Sequence, residues 1–456
     1  MGITATNSVE QRVDDLLAQM TLEEKVAQLG SCWVFELLTG REYDPAKAQV
    51  LLRHGIGHIT RLAGASSLNP VAAAETANRI QRHLLSNTRL SIPALIHEEC
   101  CSGLMARNAT CFPQIIGLAS TWEPELVLAV GEVVRWQMRA IGAQQGLAPV
   151  LDVTRDPRWG RVEETFGEDP YLVARMGSAF VEGLQGDDLR NGVVATGKHF
   201  VGYGVPDGGL NWNPAHIPAR ELREVFLFPF EAAVRQSGMR SIMHGYNELD
   251  GMPCAASREL LNDILREQWG FDGVVVSDYF GVDQLEVAHH ISSGKVESAR
   301  LALEVGMDVE LPTTDCYGVT LKQAVERGEI DVALIERSVR RLLTMKFEMG
   351  LFDDPFVDPA GVAAVFDTPA QRELAREIAQ KSIVLLKNHR HLLPLRKELR
   401  VIAVIGPNAN EVRHMLGDYA YPCHIETLIE MKEKGTAFNM PHTHQVKVSS
   451  DTASSS

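Results

Sequence analysis

No stretch of this sequence stays apolar for long enough to cross a bilayer, which argues against a spanning helix. The opening MGITATNSVEQRVDDLLAQM has no basic start followed by an apolar run. No secretory leader is therefore expected, and a cytoplasmic location is. Seven cysteines in 456 residues, odd in number and scattered, do not suit a disulfide framework. Positive charge is in deficit: 44 Lys and Arg against 59 Asp and Glu leave a net charge of −15. Such a surface repels phosphate backbones and anionic lipid, so neither nucleic acid nor membrane is an expected partner, and a neutral ligand fits better. There is no GxGxxG and no Walker lysine; Gly406-Pro407-Asn408 is at most a weak echo of a nucleotide loop. His54/His58, His289-His290 and His442/His444 lack further ligands at zinc spacing, and Cys100-Cys101 cannot easily share a tetrahedral site. Neither a metal nor another cofactor is expected.

What is present reads as a soluble α/β protein of two domains. Val9, Val13, Leu16, Leu17 and Met20 recur at helical spacing, and Thr21 with Glu24 forms a capping box for a second helix. Apolar runs follow at Pro93–Ile96, Ala148–Val153, Gly192–Ala195, Ser241–Met243 and Val274–Val276. They alternate with helical patterns such as Glu123–Ala140, Leu222–Val234 and Arg258–Gln268. Polar groups stand directly after the runs: His97-Glu98-Glu99, Asp152, Lys198-His199 and Ser277-Asp278. Collecting such groups from several strand ends is what a TIM-like (β/α)8 barrel does, whereas an open sheet gathers them at one switch point. A barrel is expected over 1–350 and a linker rich in Asp and Pro over 351–369. The start of an α/β sandwich domain is expected over 370–441, with Arg400–Asn408 as a buried strand, and a disordered tail over 442–456.

Asp278 is the sharpest candidate: a carboxylate at the mouth of the β-branched run Gly273–Ser277, beside the ring of Tyr279, can attack a sugar stacked on that ring. The bland alternative is an N-cap for the next helix. Lys198 and His199 form a donor pair suited to vicinal hydroxyls, with a Schiff-base lysine or a merely exposed one as rivals. In Arg155–Arg161 most charges serve loop ion pairs, leaving one arginine for the pocket. Of Glu98 and Glu99, neighbours on a strand, at most one can enter the pocket.

Taken together and in order, several stretches resemble glycoside hydrolase family 3, the β-glucosidase and β-xylosidase family. They are MTLEEKVAQL (20–29), RDPRWGRV (155–162) with GEDP (167–170), GKHF (197–200), VVSDY (275–279), SIVLLKN (382–388) and VIGPNA (404–409). The resemblance runs from about Val9 to Pro441. It implies Asp278 as nucleophile of a retaining, exo-acting β-glycosidase, and substrate-holding roles for Glu99, Arg161, Lys198, His199, Tyr246 and Tyr279. Glu99 stands where many β-glucosidases carry Asp, and His97-Glu-Glu-Cys100 is more like members acting on xylosides or on both sugars; Ser102 replaces a common His. The loop after GKHF lacks the Asp-Ser-His of the N-acetylglucosaminidases.

The family's acid/base Glu is expected beyond Ser456, so the chain reads as truncated within the second domain. Glu426, Glu430 and Glu433 read as solvated surface. The expected substrate is a terminal β-D-xyloside or β-D-glucoside. A catalytically impaired carbohydrate-binding remnant is the alternative, and homodimerisation is left open.

Overall fold

The computed structural model describes residues 8–434. The expected tail 442–456 and the pair His442/His444 lie outside the described residues, as do the side chains of Glu430 and Glu433. Seven parallel strands follow one another in space as in sequence: β1 (Ser31–Trp33), β2 (His58–Thr60), β3 (Leu95–Glu98), β4 (Gln145–Gly146), β5 (Val194–Phe200), β6 (Ser241–His244) and β7 (Val274–Val276). The curled sheet is closed by residues 308–314. Asp308 and Val309 donate to the Val275 carbonyl on one side, while Glu310 and Thr314 donate to the carbonyls of Leu29 and Ser31 on the other. This is the expected (β/α) barrel.

Local chemistry explains where the helices start. Pro70, Pro124, Pro170 and Pro369 each occupy a first helical turn, where a missing N–H costs nothing. Asn69, Asp169 and Thr368 cap three of these helices with side-chain oxygens. The Thr21/Glu24 capping box is present, with Glu24 Oε2 accepting from Thr21 N at 2.8 Å.

Residues in register on parallel strands share a face, so the pairings sort inside from outside. Ile59, Ile96, Ile242 and Val275 face the helices. His58, Leu95, Gln145, Val194, Thr196, Ser241 and Val274 face inward. The inward polar groups satisfy one another: His58 Nε2 meets Gln145 Oε1 at 3.0 Å, and Gln145 Nε2 donates to Thr196 and Ser241 hydroxyls at 3.1 and 3.0 Å. Burial pushes His58 down to about 3, so it stays neutral.

Lys346 joins this interior, 0% exposed, with Nζ donating to Gln28 Oε1 at 2.7 Å. Burial pulls its amine down to about 7, below its unfolded value of about 10.4. Between those two values the unfolded chain holds a proton that the folded chain does not, so this group makes stability rise with pH from about 7 to about 10. Lys346→Met is expected to melt higher than the parent at pH 6 and to lose that rise. Melting curves of both chains from pH 6 to 9.5 check this; parallel profiles would refute it.

Three expectations need correction. Ala148–Val153 is not a regular strand: Ala148 and Pro149 carbonyls still accept from Thr196 and Lys198, and Leu151 N donates to the Lys198 carbonyl, but Pro149 has no N–H to contribute to a continuous ladder. Leu222–Val234 is not one regular helix. The turn widens at Leu222–Phe226 before a new helix, Phe228–Ser237, because Pro229 cannot donate into the preceding turn. Arg400–Asn408 is neither a strand nor buried, with Val401 85% and Ile405 90% exposed. A strand needs a ladder partner, and no described residue from 382 to 420 lies in a sheet.

The helix Pro369–Lys381, expected to open a second domain, packs on the barrel: Thr110 donates to Gln371 Oε1 at 3.0 Å and Ile378 is fully buried. Among the described residues no helix is long and apolar enough to cross a membrane.

Candidate active site

Strand ends build the site. Beyond β7 the chain leaves the ladder at Ser277, and Asp278 emerges 8% exposed at the barrel mouth. Asp308 braces that strand: it accepts from Val275 N at 2.9 Å and binds Arg266 and Arg341 at 2.7 and 2.8 Å. Asp278 is no helix cap, since the next helix begins only at Gln284. Its Oδ1 accepts from Tyr246 Oη at 2.9 Å and from Tyr279 N at 2.7 Å. Its Oδ2 is buried and has no hydrogen-bond partner among the described residues; His199 Nε2 lies 3.8 Å away. One oxygen is thus anchored and the other left free, which is the arrangement a carboxylate nucleophile requires.

Burial raises Asp278 to about 6, against the pull of Arg161, Lys198 and its two hydrogen-bond donors. An attacking carboxylate must be ionised, so activity is expected to fall as pH drops through about 6. Tyr246→Phe removes a donor to the ionised form and should move this acid limb of kcat/KM upward. A kcat/KM profile from pH 4 to 8 measures the shift, and an unmoved limb would sink this account of the limb.

Lys198 and Glu99 meet as a buried pair, Nζ to Oε2 2.8 Å, with Lys198 only 2% exposed. Burial alone would discharge the amine, but Glu99 and its neighbours offset this and hold it well above its ordinary value. A lysine kept charged in this way cannot attack a carbonyl, so the Schiff-base reading does not fit. Glu98 turns away, as alternation requires, accepting from Ala63 N and Gly64 N.

His199 is held from both sides. Asp152 Oδ2 accepts its backbone N–H at 3.1 Å and its Nδ1 proton at 2.7 Å, leaving Nε2 to accept from Arg161 Nη2 at 2.9 Å. Burial, then Arg161 and Lys198, keep the ring well below its ordinary value and neutral. Of the three loop arginines, Arg155 and Arg158 form surface pairs with Glu221 and Asp156. Arg161 points inward, clamped on Glu164 by two bonds of 2.7 and 2.8 Å.

Asp278, Glu99, Arg161, Lys198, His199 and Tyr246 thus stand at one mouth, while Tyr279 joins them through its backbone N–H: its ring packs edge-on against Trp33 and its hydroxyl meets His97 Nε2 at 3.1 Å. Of the histidines weighed as metal ligands, His58 meets Gln145, His289 meets Glu248 at 2.8 Å and His290 meets the Glu286 carbonyl at 2.9 Å. In the group formed by Asp283, Asp315 and Cys316, the Asp315 carboxylate is bound by Lys295.

Other residues of the site were not singled out beforehand. Asp152 was noticed only as a polar group near an apolar run. Tyr203 packs edge-on against His199, Trp159 and Tyr246, and Trp212 lies 5.2 Å from Tyr246, so an aromatic wall lines this side. The Trp in RDPRWGR and the Tyr three residues beyond GKHF were the available signals. Glu163, at the same loop, is pushed up to about 7 by burial, with Glu164 and Asp418 adding repulsion.

Residues 21–345 match the glycosyl hydrolase family 3 N terminal domain, and residues 383–453 match the family's C-terminal domain. The chain belongs to glycosyl hydrolase family 3. Over 353 residues it is 42% identical to a beta-xylosidase of Formosa agariphila, covering 73% of this chain and 48% of that protein. A periplasmic beta-glucosidase of Salmonella typhimurium is 32% identical, over 90% of this chain and 52% of its own length. Among solved structures, a b-glucosidase from Erythrobacter marinus superposes with a TM-score of 0.81 at 37% identity, covering 86% of this chain and 52% of that one. The chain spans about half the length of the curated relatives it matches.

Proposed function

We propose that this chain carries the nucleophile half of an exo-acting retaining β-glycosidase that removes terminal β-D-xylosyl or β-D-glucosyl residues from oligosaccharides. The observation that carries this reading is the unpartnered Asp278 Oδ2 beside an anchored Oδ1. Oδ2 attacks the anomeric carbon, the glycosidic oxygen leaves with a proton from a carboxylic acid, and a covalent glycosyl ester results. Water then cleaves the ester. Around it, the Glu99–Lys198 pair and Arg161 offer charged partners to sugar hydroxyls, neutral His199 packs beside them against Arg161, and Tyr246 and Tyr279 orient the nucleophile. The named relatives include both xylosidases and glucosidases, which supports the substrate class. The remnant reading gains no support from a site whose nucleophile and flanking groups are all in place. A cytoplasmic setting belongs to the same proposal, supported by seven cysteines that all stand as free thiols.

Covalent labelling tests it. A 2-deoxy-2-fluoro-β-xyloside or glucoside with a dinitrophenyl leaving group slows the second step and should leave its sugar on Asp278. Peptide mapping that places the label on another carboxylate, or finds none, would overturn the assignment.

A further inference from the structure

The turn that carries Asp278 is tight and held at few points. Asp278 N donates to His244 Nε2 at 3.1 Å, Phe280 N to the Leu311 carbonyl at 2.9 Å, and Gly281 N to the Asp278 carbonyl at 2.9 Å. Phe280 sits at φ 63°, in the left-handed region that a residue with a Cβ adopts only where its surroundings impose it. Between these points stands Tyr279, whose backbone N–H anchors Asp278 Oδ1 at 2.7 Å. A turn under such strain needs a fixed side chain to aim that N–H. The Tyr279 ring meets Trp33 edge-on, with centroids 5.5 Å apart, and its hydroxyl meets His97 Nε2 at 3.1 Å.

His97 is the rigid end of this contact. It lies in the middle of the sheet, in register with Thr60 on one side and Gln145 on the other, and is 0% exposed, out of reach of a sugar. Its Nδ1 is buried without a partner among the described residues, so an imidazole is kept here at a cost that an apolar side chain would avoid. What the ring makes in return, among the described residues, is one hydrogen bond, to Tyr279. Burial, then His58, Arg61 and Lys198, hold it well below its ordinary value, so it stays neutral while Asp278 titrates.

We propose that His97 is a positioning residue for the nucleophile: through the Tyr279 hydroxyl it fixes the turn from which the Tyr279 N–H aims Asp278. This rests on the function proposed above. Without that anchor the turn relaxes, the N–H drifts off Oδ1, and Oδ2 loses its line to the anomeric carbon. No group that touches the sugar is lost, so the rate of attack suffers and binding does not.

The experiment uses the full chain with His97→Leu, His97→Gln, Tyr279→Phe, or His97→Leu and Tyr279→Phe together. A dinitrophenyl 2-deoxy-2-fluoro-β-xyloside reports the first chemical step as the rate of covalent labelling. In His97→Leu the maximal labelling rate should fall about 10- to 100-fold, with the half-saturating concentration within about twofold of the parent. The acid limb of that rate should move up from about 6, because the ionised carboxylate has lost an aligned donor. The titratable groups facing Asp278 (Arg161, Lys198, His199, His244, Tyr203 and Tyr246) are untouched by these changes. Glutamine offers both a donor and an acceptor near the Nε2 position, so His97→Gln should stay within about threefold of the parent. Tyr279→Phe should match His97→Leu, and the double variant should be no slower than either, since all three break one contact. With both polar partners gone, the double variant should also melt at or above the single variants, so stability returns while the rate does not.

An unmoved limb and a labelling rate within about threefold of the parent in His97→Leu would overturn the positioning role while Asp278 still takes the label. Losses that multiply in the double variant would overturn it too. A label on another carboxylate would overturn it together with the function it rests on. Should His97→Leu not fold, Tyr279→Phe breaks the same contact from the other side and decides.

Discussion

Replacing Asp278 with alanine is expected to lower kcat for an activated β-xyloside by at least about 10⁴-fold while leaving the protein folded. The size of the effect follows from the site: Asp152 also has one anchored and one unpartnered oxygen, but its side chain is wholly buried against His199, whereas that of Asp278 keeps access to the mouth. The intact fold follows from the hydrogen bonds. The Tyr279 carbonyl also lies 2.8 Å from the Tyr246 hydroxyl, so once the carboxylate is gone the single phenol proton can turn to that oxygen and is not orphaned. Asp278 is held at a cost, since burial works against its charge. Its removal should therefore leave the melting temperature unchanged or raise it near neutral pH, as is common where a site is built for chemistry rather than stability. Azide, small enough to enter the vacated space, should restore part of the rate with dinitrophenyl glycosides. Activity within tenfold of the parent would place the nucleophile elsewhere.

The second large effect concerns the leaving group. Retaining chemistry pairs the nucleophile with a carboxylic acid about 5–5.5 Å away. Glu99 and Asp152 are engaged with Lys198 and His199, and Glu426 is exposed and bound to Arg413. With these carboxylates engaged, the chain is expected to react steeply according to leaving-group ability. A dinitrophenyl β-xyloside needs little protonation and should give a burst followed by slow turnover. Xylobiose, which needs the proton, should be slower by the 10²–10⁴-fold that general acid catalysis is worth. Added azide should speed the slow step of the activated substrate and yield a glycosyl azide, because it needs no base. Brisk xylobiose hydrolysis without an azide effect would mean that a described carboxyl supplies the proton. Glu163, raised to about 7 at the loop that carries Arg161, is then the first to replace, and Glu163→Gln should slow xylobiose far more than the dinitrophenyl substrate.

Legibility differed from residue to residue, for physical reasons. Asp278 could be picked out because Gly273–Ser277 is too apolar to lie anywhere but in a buried strand, and the next polar residue must then stand at its mouth. Glu98 and Glu99 could be separated because neighbours on a strand face opposite ways. Ala148–Val153 misled because its apolar character was clear while Pro149 withheld an N–H that the ladder needed. Arg400–Asn408 misled more deeply. Apolar, β-branched sequence records what a segment can bury, not whether a partner is there to bury it against, and here Val401 and Ile405 stand in solvent.

By itself, then, the sequence determined the alternation of strands and helices, the barrel, the helix starts and the polar residues at the strand ends, because each depends on periodicity or capping within a few neighbouring residues. Only the tertiary structure decided the partnerships: Glu99 with Lys198, Asp152 and Arg161 on either side of His199, Tyr246 on Asp278, and His97 on Tyr279. Those pairs lie tens to hundreds of residues apart, and it is closing the barrel that brings them within hydrogen-bonding or ring-contact distance.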